Sequence, residues 1–138
     1  VLTVQKEVAQ RIIAQPPRMN LLAASVQFWA EPEIIDYISK KDFRPQPKVD
    51  SAIIKLNIRK SDFQKINAEE YYKLIKILFK QPRKTILNNL LGNRKQGLET
   101  RDREKIIEKL RKLKINPSDR PQNLSIEQIK TLSGQLKY

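Results

Sequence analysis

The chain has 138 residues, with 28 Lys and Arg, 15 Asp and Glu, and no His or Cys, for a formal charge of +13. Without Cys there are no disulfides, thiolate nucleophiles or Cys-ligated zinc sites, and without His there are no Ser-His or Cys-His triads. Chemistry is left to carboxylates, lysines, hydroxyls, amides and aromatic faces, and the cation excess makes a polyanion the expected partner.

The length suits one ordinary domain or two small ones. No apolar run reaches the roughly 20 residues of a membrane span, and no metal site is expected. The start, Val1 to Val4, lacks the basic-then-apolar order of a signal peptide. It reads as a cut inside an element, so a fragment is expected. Charge is uneven: residues 1–66 carry +4 and residues 67–138 carry +9. The second part is therefore the electrostatic half, unless this is only a solvated Lys-rich surface.

In chain order, Val1 to Val4 reads as the end of a buried strand. Lys6 to Ala14 places Val8, Ile12 and Ile13 on one helical face, and Pro16-Pro17 ends that helix. Leu21 to Trp29 reads as a buried helix broken by Glu31-Pro32, with a short strand at Ile34, Ile35, Tyr37 and Ile38. A proline-punctuated loop, Phe43 to Lys48, leads into Ser51 to Arg59. There Ile54, Leu56 and Ile58 alternate with Lys55, Asn57 and Arg59, the period of a strand with one wet face. These pieces resemble the last third of an α/β sheet domain.

From about residue 61 the period becomes helical. Asn67 caps a helix whose face holds Tyr71, Leu74, Ile75, Leu78 and Phe79. Gln81-Pro82 breaks it, and Thr85 to Leu91 forms the next helix. Thr100 caps a third, carrying Ile106, Ile107, Leu110 and Leu113, which Asn116-Pro117 stops. Ser125 caps a last helix with Ile126, Ile129 and Leu132. Four helices with short loops make a small bundle.

Three constellations stand out. In Phe43-Arg44-Pro45-Gln46-Pro47-Lys48 the prolines fix φ and stiffen the loop. Such a loop either presents a ring to an unstacked base or plugs the core with it. In Lys80 to Asn89, Arg83 and Lys84 fall in the first turn of a helix, where the dipole disfavours cations. A bound phosphate would reverse that and take the free N–H groups. Asn88 and Asn89 add amide donors, and ordinary solvated charge is the alternative. The run Arg101 to Lys114 reads as an amphipathic bundle helix with ion-paired flanks, including Glu108–Lys112. Carboxylates are scattered, and three glycines leave no Gly-rich phosphate loop.

Several stretches together resemble a known family. They are Val4-Gln5-Lys6-Glu7-Val8-Ala9, Phe43-x-Pro45-x-Pro47-Lys48-Val49-Asp50-Ser51-Ala52, Phe79-Lys80-Gln81-x-Arg83-Lys84-Thr85, and Asn116-Pro117-x-x-Arg120-Pro121-Gln122-Asn123-Leu124-Ser125. The family is that of the small-subunit rRNA adenine dimethyltransferases, the kasugamycin-resistance methyltransferases. The proline motif is shared with the large-subunit erythromycin-resistance enzymes, and the other motifs favour the small-subunit branch.

The resemblance implies an α/β fold: the C-terminal portion of a Rossmann-like methyltransferase sheet domain (residues 1–62) followed by a small all-helical RNA-binding domain (residues 63–138). It implies transfer of methyl groups from S-adenosylmethionine to N6 of two adjacent adenines in small-subunit rRNA, by a cytoplasmic monomer. Phe43 is expected to stack on the target adenine, with Pro45, Pro47 and Lys48 around it. Lys80, Arg83, Lys84, Asn88, Arg94 and Lys95 are expected to dock RNA. The family's cofactor motifs lie upstream of residue 1, so the chain alone is expected to be inactive. Pro82 stands where a second basic residue is common, and Met19-Asn20 where Tyr-Gly is frequent. The alternatives are a non-catalytic RNA-binding or ribosome-assembly module, and a large-subunit methyltransferase.

Overall fold

The computed structural model describes residues 1–60, 66–92 and 100–136. Strands β1 (Leu2–Gln5), β2 (Ala30–Ile38) and β3 (Ser51–Ile58) form one antiparallel sheet in the order β1-β3-β2. Helices α1 (Lys6–Ile12) and α2 (Leu21–Gln27) lie between β1 and β2 in the chain. Helices α3 (Ala68–Leu78), α4 (Ile86–Gly92), α5 (Thr100–Lys112) and α6 (Ile126–Gln135) follow. The α/β class holds.

Caps are set where the sequence puts oxygen acceptors. Asn67 Oδ1 accepts from the Glu70 N–H at 3.2 Å. Ser125 and Gln128 form a reciprocal capping box at the start of α6. Asn20 caps α2 by accepting from Ala23 N–H at 2.9 Å.

The sheet departs from expectation at its ends. β1 is not a buried strand: Leu2 is 51% exposed, and among the described residues β1 pairs only with β3, with α1 starting directly after Gln5. Pro32, read as a helix breaker ahead of a strand at Ile34, instead lies inside β2, which already starts at Ala30; it faces Leu56. There β2 is an edge, where a missing N–H costs no ladder bond. In β3 the inward positions are Ala52 and Ile54, while Ile58 is 67% exposed.

Among the described residues, hydrophobic side chains form two clusters. The smaller joins α1 to the sheet through Ala9, Ile12, Ala52 and Ile54. The larger unites α3 to α6 around Tyr71, Leu74, Ile75, Ile86, Leu90, Leu110 and Ile129. α2 serves both: Leu22 and Val26 pack on the sheet cluster, and Ala23, Ala24 and Phe28 belong to the helical one. Two consecutive tyrosines fasten it, with Tyr71 Oη donating to Ala24 C=O at 2.7 Å and Tyr72 Oη to Ser25 C=O at 2.8 Å. Buried Gln27 adds two bonds, from Nε2 to Ile12 C=O (2.8 Å) and Ala14 C=O (2.9 Å), holding the end of α1 against α2.

Candidate nucleic-acid interface

The β2–β3 connection carries the proline motif. It begins with one 3₁₀ turn, Lys40–Asp42, whose start is capped by the Ser39 hydroxyl accepting from Lys41 N–H. Asp50 closes the loop at its far end. Its Oδ1 accepts from Lys40 N–H at 2.9 Å, and its carbonyl accepts from Lys6 N–H at 3.0 Å. One residue thus ties both ends of the loop to the start of α1. The Arg44-Pro45 peptide is cis.

Phe43 follows the 3₁₀ turn directly and is only partly buried; it belongs to neither hydrophobic cluster. Arg44, Pro45, Gln46, Pro47 and Lys48 are all exposed. Lys6, Lys40 and Lys48 line a cleft of about 290 Å³ beside the loop, together with Glu7 and Asp50. The loop therefore combines an unsequestered ring with cations at its base.

The second motif has a different geometry from the one expected. α4 begins at Ile86, so Arg83 and Lys84 lie in the preceding turn rather than in the helix. That turn is closed by Lys84 N–H donating to Gln81 C=O at 2.9 Å. Nor are the first N–H groups of α4 free. Ile86 N–H donates to Asp119 C=O (2.7 Å) and Leu87 N–H to Pro117 C=O (3.2 Å). Asn88 N–H donates to Thr85 Oγ1 (3.1 Å) and Asn89 N–H to Thr85 C=O (3.0 Å). With four donors taken internally, the phosphate-at-a-helix-terminus expectation fails.

Asn89 also differs. It is 6% exposed, and its carboxamide is spent on the turn. Oδ1 accepts from Gln81 N–H (3.1 Å), and Nδ2 donates to the carbonyls of Gln81 (3.0 Å), Lys84 (3.3 Å) and Thr85 (3.1 Å). Asn88, by contrast, is exposed. It lines a cleft of about 160 Å³ with Lys80, Lys84 and Gly92. Lys80, Arg83 and Lys84 are exposed as well. Arg94 and Lys95 lie outside the described residues.

The last motif shapes this surface. Besides the Pro117 and Asp119 carbonyls, Gln122 Nε2 donates to Pro82 C=O at 3.0 Å, and Gln122 C=O accepts from Met19 N–H at 3.0 Å. The Asn116 to Ser125 segment therefore holds the basic turn and the α1–α2 linker in one place. In the sequence this segment stands out mainly by resemblance; apart from the Gln122 side chain its bonds run through backbone carbonyls, which leave no trace in residue type.

Among the described residues no three His, Cys, Asp or Glu side chains gather as a metal site, and no helix is long and apolar enough to cross a membrane.

The profile of the ribosomal RNA adenine dimethylase family matches residues 1–136. The chain is 37% identical over 140 residues to ribosomal RNA small subunit methyltransferase A of Bacillus licheniformis, covering 99% of this chain and 47% of that protein. It is 38% identical over 138 residues to the protein of that name from Nostoc punctiforme, covering 99% and 46%. Among solved structures, it resembles a dimethyladenosine transferase from Plasmodium falciparum with a TM-score of 0.72 at 25% identity, over 97% of this chain and 56% of that one. The fold is also that of the 23S rRNA methyltransferase ErmE, with a TM-score of 0.67 at 23% identity, over 97% and 52% of the two chains. The chain spans about half the length of the curated relatives it matches. By a family match that covers residues 1–136, and so takes in the proline loop, the basic turn and the segment capping α4, the chain belongs to the ribosomal RNA adenine dimethylase family.

Proposed function

We propose that the protein containing this chain is an S-adenosylmethionine-dependent dimethyltransferase, acting on N6 of two adjacent adenines in small-subunit rRNA. In this reading the chain supplies the adenine-stacking loop and the RNA-docking surface. The observation that carries it is the unsequestered Phe43 ring on a loop pinned at both ends by Asp50.

The residue types suit the reaction. The N6 lone pair is delocalised into the purine ring, so the step needs alignment more than a strong base. An adenine taken from its stack needs an apolar face in place of its former neighbours. Phe43 offers that face, Pro45 and Pro47 limit the motion of the loop, and Lys48 stands beside it for a phosphate. Lys80, Arg83, Lys84 and Asn88 grip the RNA through the basic turn and α4, with Arg94 and Lys95 assigned to the same surface by sequence.

S-adenosylmethionine supplies the methyl group. The described residues do not fit it: no Gly-rich turn follows β1, and Gly92 and Gly134 lie in the helical part. In this reading none of these residues is given a cofactor contact. The division at residues 62 and 63 belongs to the same reading, with α2 of the first part packed as a member of the second. So does action as a monomer in the cytoplasm, where ribosomal precursors are the substrate.

The test is methylation of purified, unmethylated small and large ribosomal subunits by the full-length protein, read by primer extension. Two adjacent modified adenines in the small subunit are expected. Modification of large-subunit rRNA instead, or of neither, overturns the reading.

A further inference from the structure

On the side of the helical part formed by α5 and the segment after it, a cleft of about 510 Å³ opens. Its floor is apolar, with Leu87, Ile107 and Ile115. Its rim carries Arg103, Arg111 and Lys114, and no carboxylate lines it among the described residues. Arg103, Ile107 and Arg111 follow one another at intervals of four along α5, so they share one face. The two arginines stand about 12 Å apart along the helix axis. Among the described residues α5 forms an ion pair between Glu108 and Lys112 at 3.3 Å, which uses neither arginine. All three rim cations are exposed.

A second observation singles out Lys114. It has φ 58°, the one non-glycine residue with positive φ among those described. It ends α5 in a Schellman arrangement: Lys114 N–H donates to Arg111 C=O at 3.0 Å, and Ile115 N–H to Leu110 C=O at 2.9 Å. Glycine is the usual occupant of that position, because a Cβ is disfavoured there. A lysine kept in a left-handed conformation on a cationic rim suggests a side chain retained for what it binds.

The geometry points to a second RNA-docking groove, in which Arg103, Arg111 and Lys114 bind backbone phosphates of the rRNA. It is separate from the turn bearing Arg83 and Lys84. The inference rests on the proposed rRNA substrate and extends it to the face of the molecule built by α5. Three convergent cations over an apolar floor, with no acid among them, complement a polyanion rather than an acidic patch of mixed charge. The spread along a helix suits a phosphate backbone more than a single small anion.

The test uses the full-length protein and protein-free small-subunit rRNA, with affinity measured across a salt series. Lys114→Gly is expected to leave the melting temperature unchanged or raised, and to weaken binding about threefold. Adding Arg103→Gln and Arg111→Gln is expected to weaken binding at least tenfold and to flatten the salt slope by about 3, one for each phosphate no longer neutralised. Lys73→Gln, which removes a cation paired with Glu69 on α3, is expected to change little. Arg83→Ala with Lys84→Ala serves as the reference. If that pair weakens binding and the groove variants do not, the groove assignment falls while the substrate stands. If neither set has any effect, the rRNA reading itself falls. Weaker binding seen with whole subunits but not with protein-free rRNA would place a ribosomal protein in the groove and overturn the assignment.

Discussion

The Asn89 side chain grasps Gln81 by both its backbone groups, accepting from the N–H at 3.1 Å and donating to the C=O at 3.0 Å. A primary amide can do this because it carries a donor and an acceptor on one planar end. The turn that displays Lys80, Arg83 and Lys84 is therefore shaped by a residue that is itself buried. Asn89→Ala is expected to cost about 2 kcal/mol in urea unfolding, below the sum of its bonds because Gln81 and Lys84 recover water. RNA affinity is expected to fall with it, although no charge is removed.

Phe43→Ala separates capture from turnover. Stacking on an extruded base is worth about 1–3 kcal/mol, and it is exerted on the reacting nucleotide rather than on the surrounding backbone. In the full-length enzyme, rRNA affinity is expected to change less than fivefold, while single-turnover methylation falls by roughly 5- to 150-fold, the range that this stacking energy gives. Phe43→Tyr keeps the ring and is expected to retain most of the rate. Equal reductions in binding and rate for Phe43→Ala would mean that the ring supports the loop instead.

Removing Arg83 and Lys84 together is expected to weaken rRNA binding and flatten the salt slope by about 2, since each phosphate neutralised releases about one counterion. Filter binding between low and moderate salt measures it. Thermal stability is expected to stay within about 0.5 kcal/mol, because both side chains are exposed and the turn is closed by the Lys84 backbone, which the substitution leaves in place.

Tyr71 predicts an alkaline limit to stability. Burial first, and the neighbouring Tyr72 second, push its hydroxyl well above the ordinary tyrosine range, against a lowering by Arg59. The unfolded chain therefore releases this proton at a lower pH than the folded one. Its stabilising effect is complete below about pH 10 and declines as pH rises beyond that, by at most about 1.4 kcal/mol per pH unit. Tyr71→Phe is expected to cost about 1–2 kcal/mol at neutral pH by removing the bond to Ala24 C=O, and to show a shallower alkaline decline. Parallel pH profiles for the two proteins would show that another group controls the limit.

Elements whose faces meet a core on one side are readable from periodicity: α3, α6 and the inner half of β3. Their caps are readable too, because Asn67 and Ser125 bind within their own turn. Positions decided by partners distant in sequence are not. Nothing in Leu2 reveals that, among the described residues, its strand has β3 as its one partner, and Pro32 looks like a helix breaker until its place in an edge strand is known. Sequence alone puts Arg83 and Lys84 inside the helix, whereas Thr85 carries the cap and leaves them ahead of it. Asn88 and Asn89 look equivalent as amide donors. Only the fold distinguishes an outward residue from one enclosed by Gln81, Lys84 and Thr85. The proline loop is legible as stiff, but the Asp50 clasp that fixes it to α1 spans parts of the chain that periodicity treats separately.

The capping of Ile86 and Leu87 by the carbonyls of Asp119 and Pro117 sets an order of assembly. During synthesis the basic turn emerges well before its clamp. Until Gln122 leaves the ribosome, a nascent chain carries the cations on a turn that Asn89 can shape but that nothing yet anchors to the α1–α2 linker. A product ending before residue 117 would retain every charge of that turn and lose its presentation, so a frameshift there would yield a sticky polycation instead of a docking surface.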